Sequence, residues 1–163
     1  MMNKFEEEVI KKHSEELDAL REMSDPHIRV LYHDPACIIE KHGDWMDLRS
    51  AEDVKYKKGD FFIVSLGVSI SLPWNTEGII AARSSTFKNF HVIMTNGIGI
   101  VDNDYNGDND VWKMPLLAME DGEIHHGDRI AQFRVLKNMH SYEIETVDTL
   151  GNSDRGGFGS TGV

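Results

Sequence analysis

Residues 96–108, NGIGIVDNDYNGD, place acids and an aromatic ring directly after an apolar strand. The apolar run ends just before Asp102, and Asp104, Tyr105 and Asp108 follow closely. A carboxylate held within about 3 Å of a water molecule can act as a general base, and the ring can pack against a flat group. The stretch is therefore either an ordinary surface hairpin or a pocket that holds a flat ligand and activates a water.

Two other short runs have the composition of phosphate-binding sequences. Arg83, Ser84 and Ser85 combine a guanidinium fork with hydroxyl donors, which suit phosphate oxygens. Residues 151–163, GNSDRGGFGSTGV, have five glycines in thirteen residues and few core formers, so this tail cannot fold alone. It is either a frayed terminus or a segment that wraps phosphates through its backbone N–H groups.

Short apolar strands must position these residues. From residue 28 onward, runs rich in Ile, Val, Phe and Leu alternate with turn sequences such as KKGD, PWNTEG and EDGE. Regularly spaced short strands predict an all-β barrel or jelly roll, and we predict no second helix in this part. The predicted strands are residues 27–33, 37–40, 61–72, 78–83, 91–95, 97–101, 112–119, 128–136 and 141–147.

The N-terminus has a different pattern. Residues 3–23 predict an amphipathic helix, because apolar residues recur near helical spacing on one face, which we expect to be buried. Pro26 disfavours helical backbone in the residue before it and ends the helix. We divide the chain into the helix (1–25), the β-domain (26–150) and a flexible Gly-rich segment (151–163). The apolar helix residues are Phe5, Val9, Ile10, Leu17 and Leu20.

Composition narrows the classes of partner. The net charge of −11 repels a phosphate backbone, so no nucleic-acid partner is expected. A small phosphorylated ligand needs a local cluster of arginine and N–H groups, and Mg²⁺ bound to that ligand would ease the conflict. The single cysteine, Cys37, rules out an internal disulfide, so a reducing cytoplasm is the simplest location. No signal peptide or membrane-spanning run is expected.

Five motifs occur in order along residues 28–163. They resemble those of the trimeric deoxyuridine triphosphatase (dUTPase) family, in the form found in Gram-positive bacteria and their phages. The resemblance implies a homotrimer of distorted β-barrel or jelly-roll subunits, with an added N-terminal helix here. It implies hydrolysis of dUTP to dUMP and pyrophosphate with Mg²⁺, which limits uracil in DNA and supplies dUMP for dTMP synthesis. The motifs are GDWMDLRSAED (43–53), ARSSTFKN (82–89), GIVDNDYNGD (99–108), HGDRIAQFRV (126–135) and DRGGFGSTG (154–162).

In this resemblance the third motif recognises the nucleoside and performs the chemistry. Asp102 would orient and deprotonate the water that attacks the α-phosphorus. Tyr105 would pack against the deoxyribose, so that a 2′-hydroxyl clashes. Asn96 and strand backbone would read the uracil edge. The strand residues concerned are Gly99, Ile100 and Val101.

The resemblance assigns the phosphates to residues outside this hairpin. Arg83, Ser84, Ser85 and Gln132 would contact phosphate oxygens. Arg155, in the tail, would contact the γ-phosphate. The tail resembles a lid that reaches the site of a neighbouring subunit.

Within that lid, Phe158 would stack on uracil, an interaction worth roughly 1–3 kcal/mol. Gly159, Ser160 and Thr161 would close over the phosphates. Trp112, soon after the third motif, is a rival for the stacking role, although a core or interface position suits it better.

Asp47 matches the acid of the first motif, which in the family lies near the magnesium shell and acts through water. The Asp-Ala-Gly that usually precedes it is replaced by GDWM, so the local loop differs. No set of His, Cys or Asp has the spacing of a protein metal cage, so Mg²⁺ would be held mainly by the triphosphate and water. Asp128 and Arg129 of the fourth motif would fix a loop and subunit contacts.

Two alternatives stay open. A dCTP deaminase shares the fold but needs a glutamate on the strand after the third motif, where this chain has VWKMPLLAM. A phage-type regulator would use the fold as a protein-binding scaffold. The helix, outside the family core, would cover a sheet edge or trimer surface, or recruit a protein partner.

Overall fold

The computed structural model describes residues 4–24, 27–139 and 142–156. Helix α1 spans Lys4–Ser24, close to the predicted helix. The side chains described in α1, those of residues 7–17, are all exposed in the single chain. Val9, Ile10 and Leu17, which belong to the apolar face that we expected to be buried, are therefore uncovered in one isolated copy. Within the described residues, no helix combines the length and the apolar character needed to cross a membrane.

The rest of the described chain is built mainly from short strands, which confirms the all-β fold class. The strands are β1 (Arg29–Tyr32), β2 (Glu40–His42), β3 (Trp45–Arg49), β4 (Val54–Tyr56), β5 (Phe61–Ser65), β6 (Val68–Ser71), β7 (Thr76–Ala82), β8 (Val92–Met94), β9 (Ile98–Val101), β10 (Lys113–Ala118), β11 (Gly122–Ile124) and β12 (Arg129–Lys137).

Antiparallel pairing groups these strands into four sheets. The largest has the order β2-β3-β12-β7-β9, and a second has the order β5-β10-β8. Two-stranded sheets pair β1 with β6 and β4 with β11. Hydrogen bonding among the described strands thus gives four open sheets and not one closed barrel.

The core lies between the sheets. Along β12, Ile130, Ala131 and Phe133 are buried, while neighbouring residues are partly exposed. Phe133 meets Trp112 edge to face, with ring centroids 5.1 Å apart, in the geometry that aromatic pairs prefer. Trp112 is itself fully enclosed. The structure therefore places Trp112 in the core, as the sequence favours.

A short second helix, α2 (Thr86–Phe90), contradicts the expectation that the β-domain has none. Thr86 is buried and its hydroxyl donates to the carbonyl of Ile130 at 2.9 Å, which fixes α2 against β12. The hydroxyl of Thr86 also accepts from Arg83 N at 2.9 Å. Five residues are too few to show a helical period, so the sequence pattern does not reveal α2.

The predicted strands over 37–40 and 141–147 are wrong in the single chain. Residues Pro35–Cys37 form a 3₁₀ turn, and strand structure resumes only at β2. Residues 142–150 contain no strand, and Ile144 is 98% exposed. A strand needs a partner for its backbone groups, and this segment has the apolar pattern of a strand without a neighbour in its own chain.

One face of the β5-β10-β8 sheet is apolar and uncovered. Phe61 and Leu117 are opposite each other, as are Leu117 and Ile93, and Ile63 faces Pro115. Directly opposite residues share a face of a sheet. Phe61, Ile63 and Ile93 are 60%, 54% and 41% exposed. A contiguous apolar face of this kind marks an interaction surface.

Candidate active site

A pocket of about 330 Å³ lies beside β9 and the loop that follows it. We call it the β9 pocket. Its volume falls within the ~300–1,000 Å³ typical of small-molecule sites. It is lined by six of the residues predicted to bind or attack the substrate, namely Asn96, Gly99, Ile100, Val101, Asp102 and Tyr105. Ile80, Val111, Trp112 and Lys113 complete the lining.

Strand β9 can contact a ligand in the pocket through its backbone because it is an edge strand of the five-stranded sheet. It pairs with β7 on one side, and its other side carries no described strand. Backbone N–H and C=O groups on that side are free for a ligand. A side chain at Gly99 would meet Ile80 Cβ at 3.2 Å and Met94 Cε at 3.3 Å, so a glycine suits this crowded position.

The loop after β9 presents Asp102 and Tyr105 at the mouth of the pocket, and both side chains are exposed. Tyr105 N donates to the carbonyl of Asp102 at 3.1 Å, which closes a tight turn. The hydroxyl of Tyr105 donates to the carbonyl of Val111 at 3.4 Å. The ring is thus tied to both ends of the loop and stands beside the pocket as a wall.

A second cluster brings together predicted phosphate-binding residues, and we call it the arginine cluster. It contains Asp47, Arg83, Ser85, Arg129 and Gln132. Arg83 Nε donates to Asp47 Oδ1 at 2.8 Å, and Arg83 Nη1 donates to Ser85 Oγ at 3.4 Å. Arg129 Nη1 donates to the other oxygen of Asp47 at 3.3 Å. Gln132 lies opposite Asp47 in the β3–β12 ladder, which explains how β12 joins the cluster.

Two further members of the predicted phosphate set differ in how they are held. Gln132 Nε2 donates to the carbonyl of Ala82 at 3.2 Å, so its amide is already oriented toward the start of the second motif. Ser84 is exposed. The arrangement can present a guanidinium, hydroxyls and an amide to the oxygens of a polyphosphate.

Asp47 has a role in this cluster that the sequence does not reveal. Its side chain is only 6% exposed, and both carboxylate oxygens are engaged by arginines. The described residues contain no group of three or more His, Cys, Asp or Glu side chains that could hold a metal ion. In this arrangement the carboxylate of Asp47 is the counter-charge of Arg83 and Arg129.

Asp102 of the β9 pocket and the arginine cluster lie at opposite ends of one strand pair. In the β7–β9 ladder, Gly78 is opposite Val101 and Ala81 is opposite Ile98. Asp102 therefore follows one end of the ladder, and Arg83 follows the other. Asp102 falls level with Glu77, with five residues of β7 between Glu77 and Arg83, which corresponds to roughly 20 Å at 3.4 Å per step. A single chain does not bring its own Asp102 and Arg83 together.

The tail is described only in part. Arg155 is exposed and lies in no strand or helix. The predicted lid residues Phe158, Gly159, Ser160 and Thr161 lie outside the described residues.

The sequence analysis did not single out Asn103, whose side chain donates to the backbone of an earlier turn. The sequence feature that could have drawn attention to Asn103 is its place next to an acid in a predicted turn.

Comparison with known proteins agrees with this geometry. The family model for dUTPase matches residues 45–162. The SPbeta prophage-derived deoxyuridine 5'-triphosphate nucleotidohydrolase YosS of Bacillus subtilis strain 168 is 53% identical over 123 residues, covering 76% of this chain and 87% of that protein. The deoxyuridine 5'-triphosphate nucleotidohydrolase of Corynebacterium diphtheriae is 37% identical over 129 residues, covering 77% and 84%. This chain belongs to the dUTPase family, which confirms the resemblance read from its five motifs.

Solved structures show the same fold. A mutant of the dUTPase of Staphylococcus bacteriophage 80alpha, with dUpNHpp, has a TM-score of 0.70 at 18% identity, covering 85% of this chain and all of that one. The dUTPase of Streptococcus mutans has a TM-score of 0.64 at 18% identity, covering 71% and 98%. Phage 80alpha dUTPases are described as controlling the transfer of virulence genes. At 18% identity these structures show that our chain has the same fold. They do not show that it has the regulatory role.

Proposed function

We propose that the protein hydrolyses dUTP to dUMP and pyrophosphate in the cytoplasm, as a homotrimer with Mg²⁺ as cofactor. The observation that carries this proposal is the β9 pocket, which gathers an acid, an aromatic ring and a free backbone edge around one space. Family membership supplies the substrate class, because related proteins in the family are named deoxyuridine 5'-triphosphate nucleotidohydrolases.

Asp102 acts as the general base at the mouth of the pocket. Its carboxylate takes a proton from a water molecule while the oxygen of that water bonds to the α-phosphorus. The bond from the α-phosphorus to the oxygen that bridges to the β-phosphorus breaks, and pyrophosphate leaves. A positioned base contributes typically 10²- to 10⁴-fold to the rate.

Recognition of the nucleoside uses shape and backbone. The ring of Tyr105, tied down by its hydroxyl, packs against the deoxyribose and leaves no room for a 2′-hydroxyl. Asn96 and the free edge of β9 pair with uracil. A C5 methyl group or an exocyclic amino group at that edge would clash or leave a polar group unpaired, which costs binding free energy.

The triphosphate extends from this pocket to an arginine cluster. Because Arg83 and Asp102 of one chain lie roughly 20 Å apart along β7, we propose that each active site combines the β9 pocket of one subunit with the arginine cluster of another. Arg83, Ser84, Ser85 and Gln132 bind phosphate oxygens there. Fixed cationic and hydrogen-bonding groups of this kind stabilise the charge that develops during transfer.

The uncovered face of the β5-β10-β8 sheet supports the homotrimer. Phe61, Ile63 and Ile93 present adjoining apolar side chains to solvent in the single chain. Burying such a face between copies contributes about 25 cal/mol per Å² of apolar surface. A second copy is its natural occupant, because the active site itself needs one.

Mg²⁺ supplies neutralising charge to the triphosphate when it is bound. Asp47 lies within the arginine cluster, and we propose that it meets the hydrated ion through water. Arg155 binds the γ-phosphate as the tail closes. In this proposal Phe158 stacks on uracil, and Gly159, Ser160 and Thr161 close over the phosphates. The tail would reach a neighbouring subunit.

The test is side-by-side measurement of pyrophosphate release from dUTP, dTTP, dCTP and UTP with Mg²⁺. We expect turnover of dUTP to exceed the others by a wide margin. Ammonia release from dCTP would instead indicate a deaminase. Deamination is disfavoured because the only carboxylate among the described residues lining the β9 pocket is that of Asp102, and β10 contributes none. The Asp102→Asn variant is the control for contaminating phosphatases.

A further inference from the structure

One side chain, that of Asn103, anchors the loop that follows β9. Its Nδ2 atom donates to the carbonyl oxygen of Leu72 at 3.2 Å and to that of Pro73 at 2.8 Å. Both carbonyls belong to the connection between β6 and β7, about thirty residues earlier in the chain. The amide nitrogen of asparagine carries two protons, so each proton can serve one carbonyl.

The anchor point is itself rigid. Leu72 is 7% exposed and belongs to the core. Pro73 has a fixed backbone angle, and its carbonyl also accepts from the hydroxyl of Thr76 at 2.6 Å. Asn103 therefore ties the loop to a turn that is held by the core and by its own hydrogen bond.

The carboxylate of the neighbouring residue, Asp102, has no such support. Within the described part of the chain, no hydrogen bond or ion pair holds that side chain. Local hydrogen bonds hold the rest of the loop, since Asp102 O accepts from Tyr105 N at 3.1 Å, Asn103 O accepts from Asn106 Nδ2 at 2.8 Å and the Tyr105 hydroxyl donates to Val111 O at 3.4 Å. The place of the carboxylate thus depends on where the loop is anchored.

We infer that Asn103 is a positioning residue for Asp102, because its two hydrogen bonds hold the loop so that the carboxylate faces the attacking water. This inference rests on the proposed hydrolysis of dUTP. Displacement of a catalytic group by about 1 Å costs on the order of 100-fold in rate. Asn103 does not line the β9 pocket, and Tyr105, which does, keeps its own hydrogen bond to Val111, so we expect the loss of Asn103 to affect turnover more than nucleotide binding.

Two variants separate the anchor from the size of the side chain. Asn103→Asp keeps the shape but turns two donors into oxygens that face two carbonyls, and Asn103→Ala removes the group. We expect kcat for dUTP to fall about 10- to 100-fold in both variants. KM for dUTP, affinity for dUpNHpp and the thermal midpoint should stay close to those of the wild type.

Asn138→Asp is the matched control. Asn138 and Asn103 line the same pocket, together with Asp102 and Trp74. The substitution places the same new negative charge beside Asp102, but it leaves the anchor intact because Asn138 contributes only its backbone N–H, to the carbonyl of Asn75. We expect this variant to keep its kcat.

Three results would overturn the inference. Unchanged kcat in Asn103→Ala would show that the anchor is dispensable. Parallel losses of kcat, dUpNHpp affinity and thermal stability would make Asn103 a structural residue only. An equal loss in Asn138→Asp would show that charge, and not position, explains the effect. A wild-type protein without dUTP turnover would instead contradict the proposed function, on which the inference depends.

Discussion

Arg83 Nε donates to Asp47 Oδ1 at 2.8 Å, which joins the loop after β7 to strand β3 across 36 residues of sequence. Arg129 reaches the other oxygen of the same carboxylate. Charge-assisted hydrogen bonds of this kind are about twice as strong as neutral ones. One enclosed acid therefore sets the spacing between two guanidinium groups within a single chain.

Loss of this acid should weaken the fold. Asp47→Asn keeps the shape but leaves Arg83 and Arg129 facing each other without a counter-charge. Because the arginines are partly exposed, we expect a loss of about 1–3 kcal/mol in the free energy of unfolding. Urea denaturation of the wild type and the variant measures this loss. Glu40→Gln, which removes a more exposed acid from Arg49, is the control, and equal losses in the two variants would contradict the prediction.

Asp102→Asn should abolish most turnover without loss of binding. The amide cannot accept the proton of the attacking water, so kcat should fall by roughly 10²- to 10⁴-fold. Affinity for dUpNHpp should persist because the phosphate and base contacts remain. Asp104→Asn removes the same charge from the next acid in the loop and should be nearly silent. Near-normal turnover in Asp102→Asn would mean that another group activates the water.

Tyr105 should control the choice of sugar. Removing the ring in Tyr105→Ala opens the space beside the deoxyribose, so the ratio of kcat/KM for dUTP over UTP should fall sharply. Tyr105→Phe keeps the wall and loses only the hydrogen bond to Val111, so it should retain most of the discrimination. The ratio of kcat/KM for dUTP over UTP, measured for the wild type, Tyr105→Ala and Tyr105→Phe, tests this prediction. A wild-type enzyme that accepts UTP as well as dUTP would contradict this role.

Deleting residues 1–24 should leave catalysis largely intact. No motif lies in this segment, and the family model begins only at residue 45. The described side chains of α1 are exposed in the single chain, so the deletion exposes little of the chain's own core. Steady-state assays and light scattering of the truncated protein would test this. Good folding with lost activity would show that the helix helps to build the site.

The tail tests both chemistry and assembly. Removing residues 154–163 takes away Arg155 and Phe158 and should cut turnover heavily while the core stays folded. Fixing the backbone of tail residues on binding costs roughly 1 kcal/mol or more per residue, so phosphate contacts and stacking must exceed that cost. Refolding Asp102→Asn chains together with tail-deleted chains should restore part of the activity. Proven mixed trimers without recovery would mean that each tail serves its own chain.

Sequence patterns predicted the strands of the β-domain well where burial alternates along them. Along β10, for example, Met114, Leu116 and Ala118 are buried and alternate with more exposed residues, within the predicted strand over 112–119. The patterns missed α2, which is stabilised by a tertiary hydrogen bond from Thr86. They also predicted a strand over 141–147, where the described residues have no partner strand in the same chain.

The residues of the candidate site could be predicted from the sequence, but several contacts between them could not. Five ordered motifs predict that Asp102, Tyr105 and Arg83 belong to a family site. Nothing in the sequence showed that Asp47 lies between two arginines, or that Asn103 bonds to a turn about thirty residues earlier. Those relationships depend on which strands become neighbours, and local periodicity carries no information about that choice.

The face formed by Phe61, Ile63 and Ile93 is exposed in a single chain, so unassembled and assembled chains would differ in how a cell treats them. Chaperones and proteases act on chains that expose surfaces of this type. A newly made subunit that finds no partner is then a target for quality control, whereas subunits in the proposed trimer hide that face. The cellular amount of active enzyme would follow the efficiency of assembly as much as the rate of synthesis.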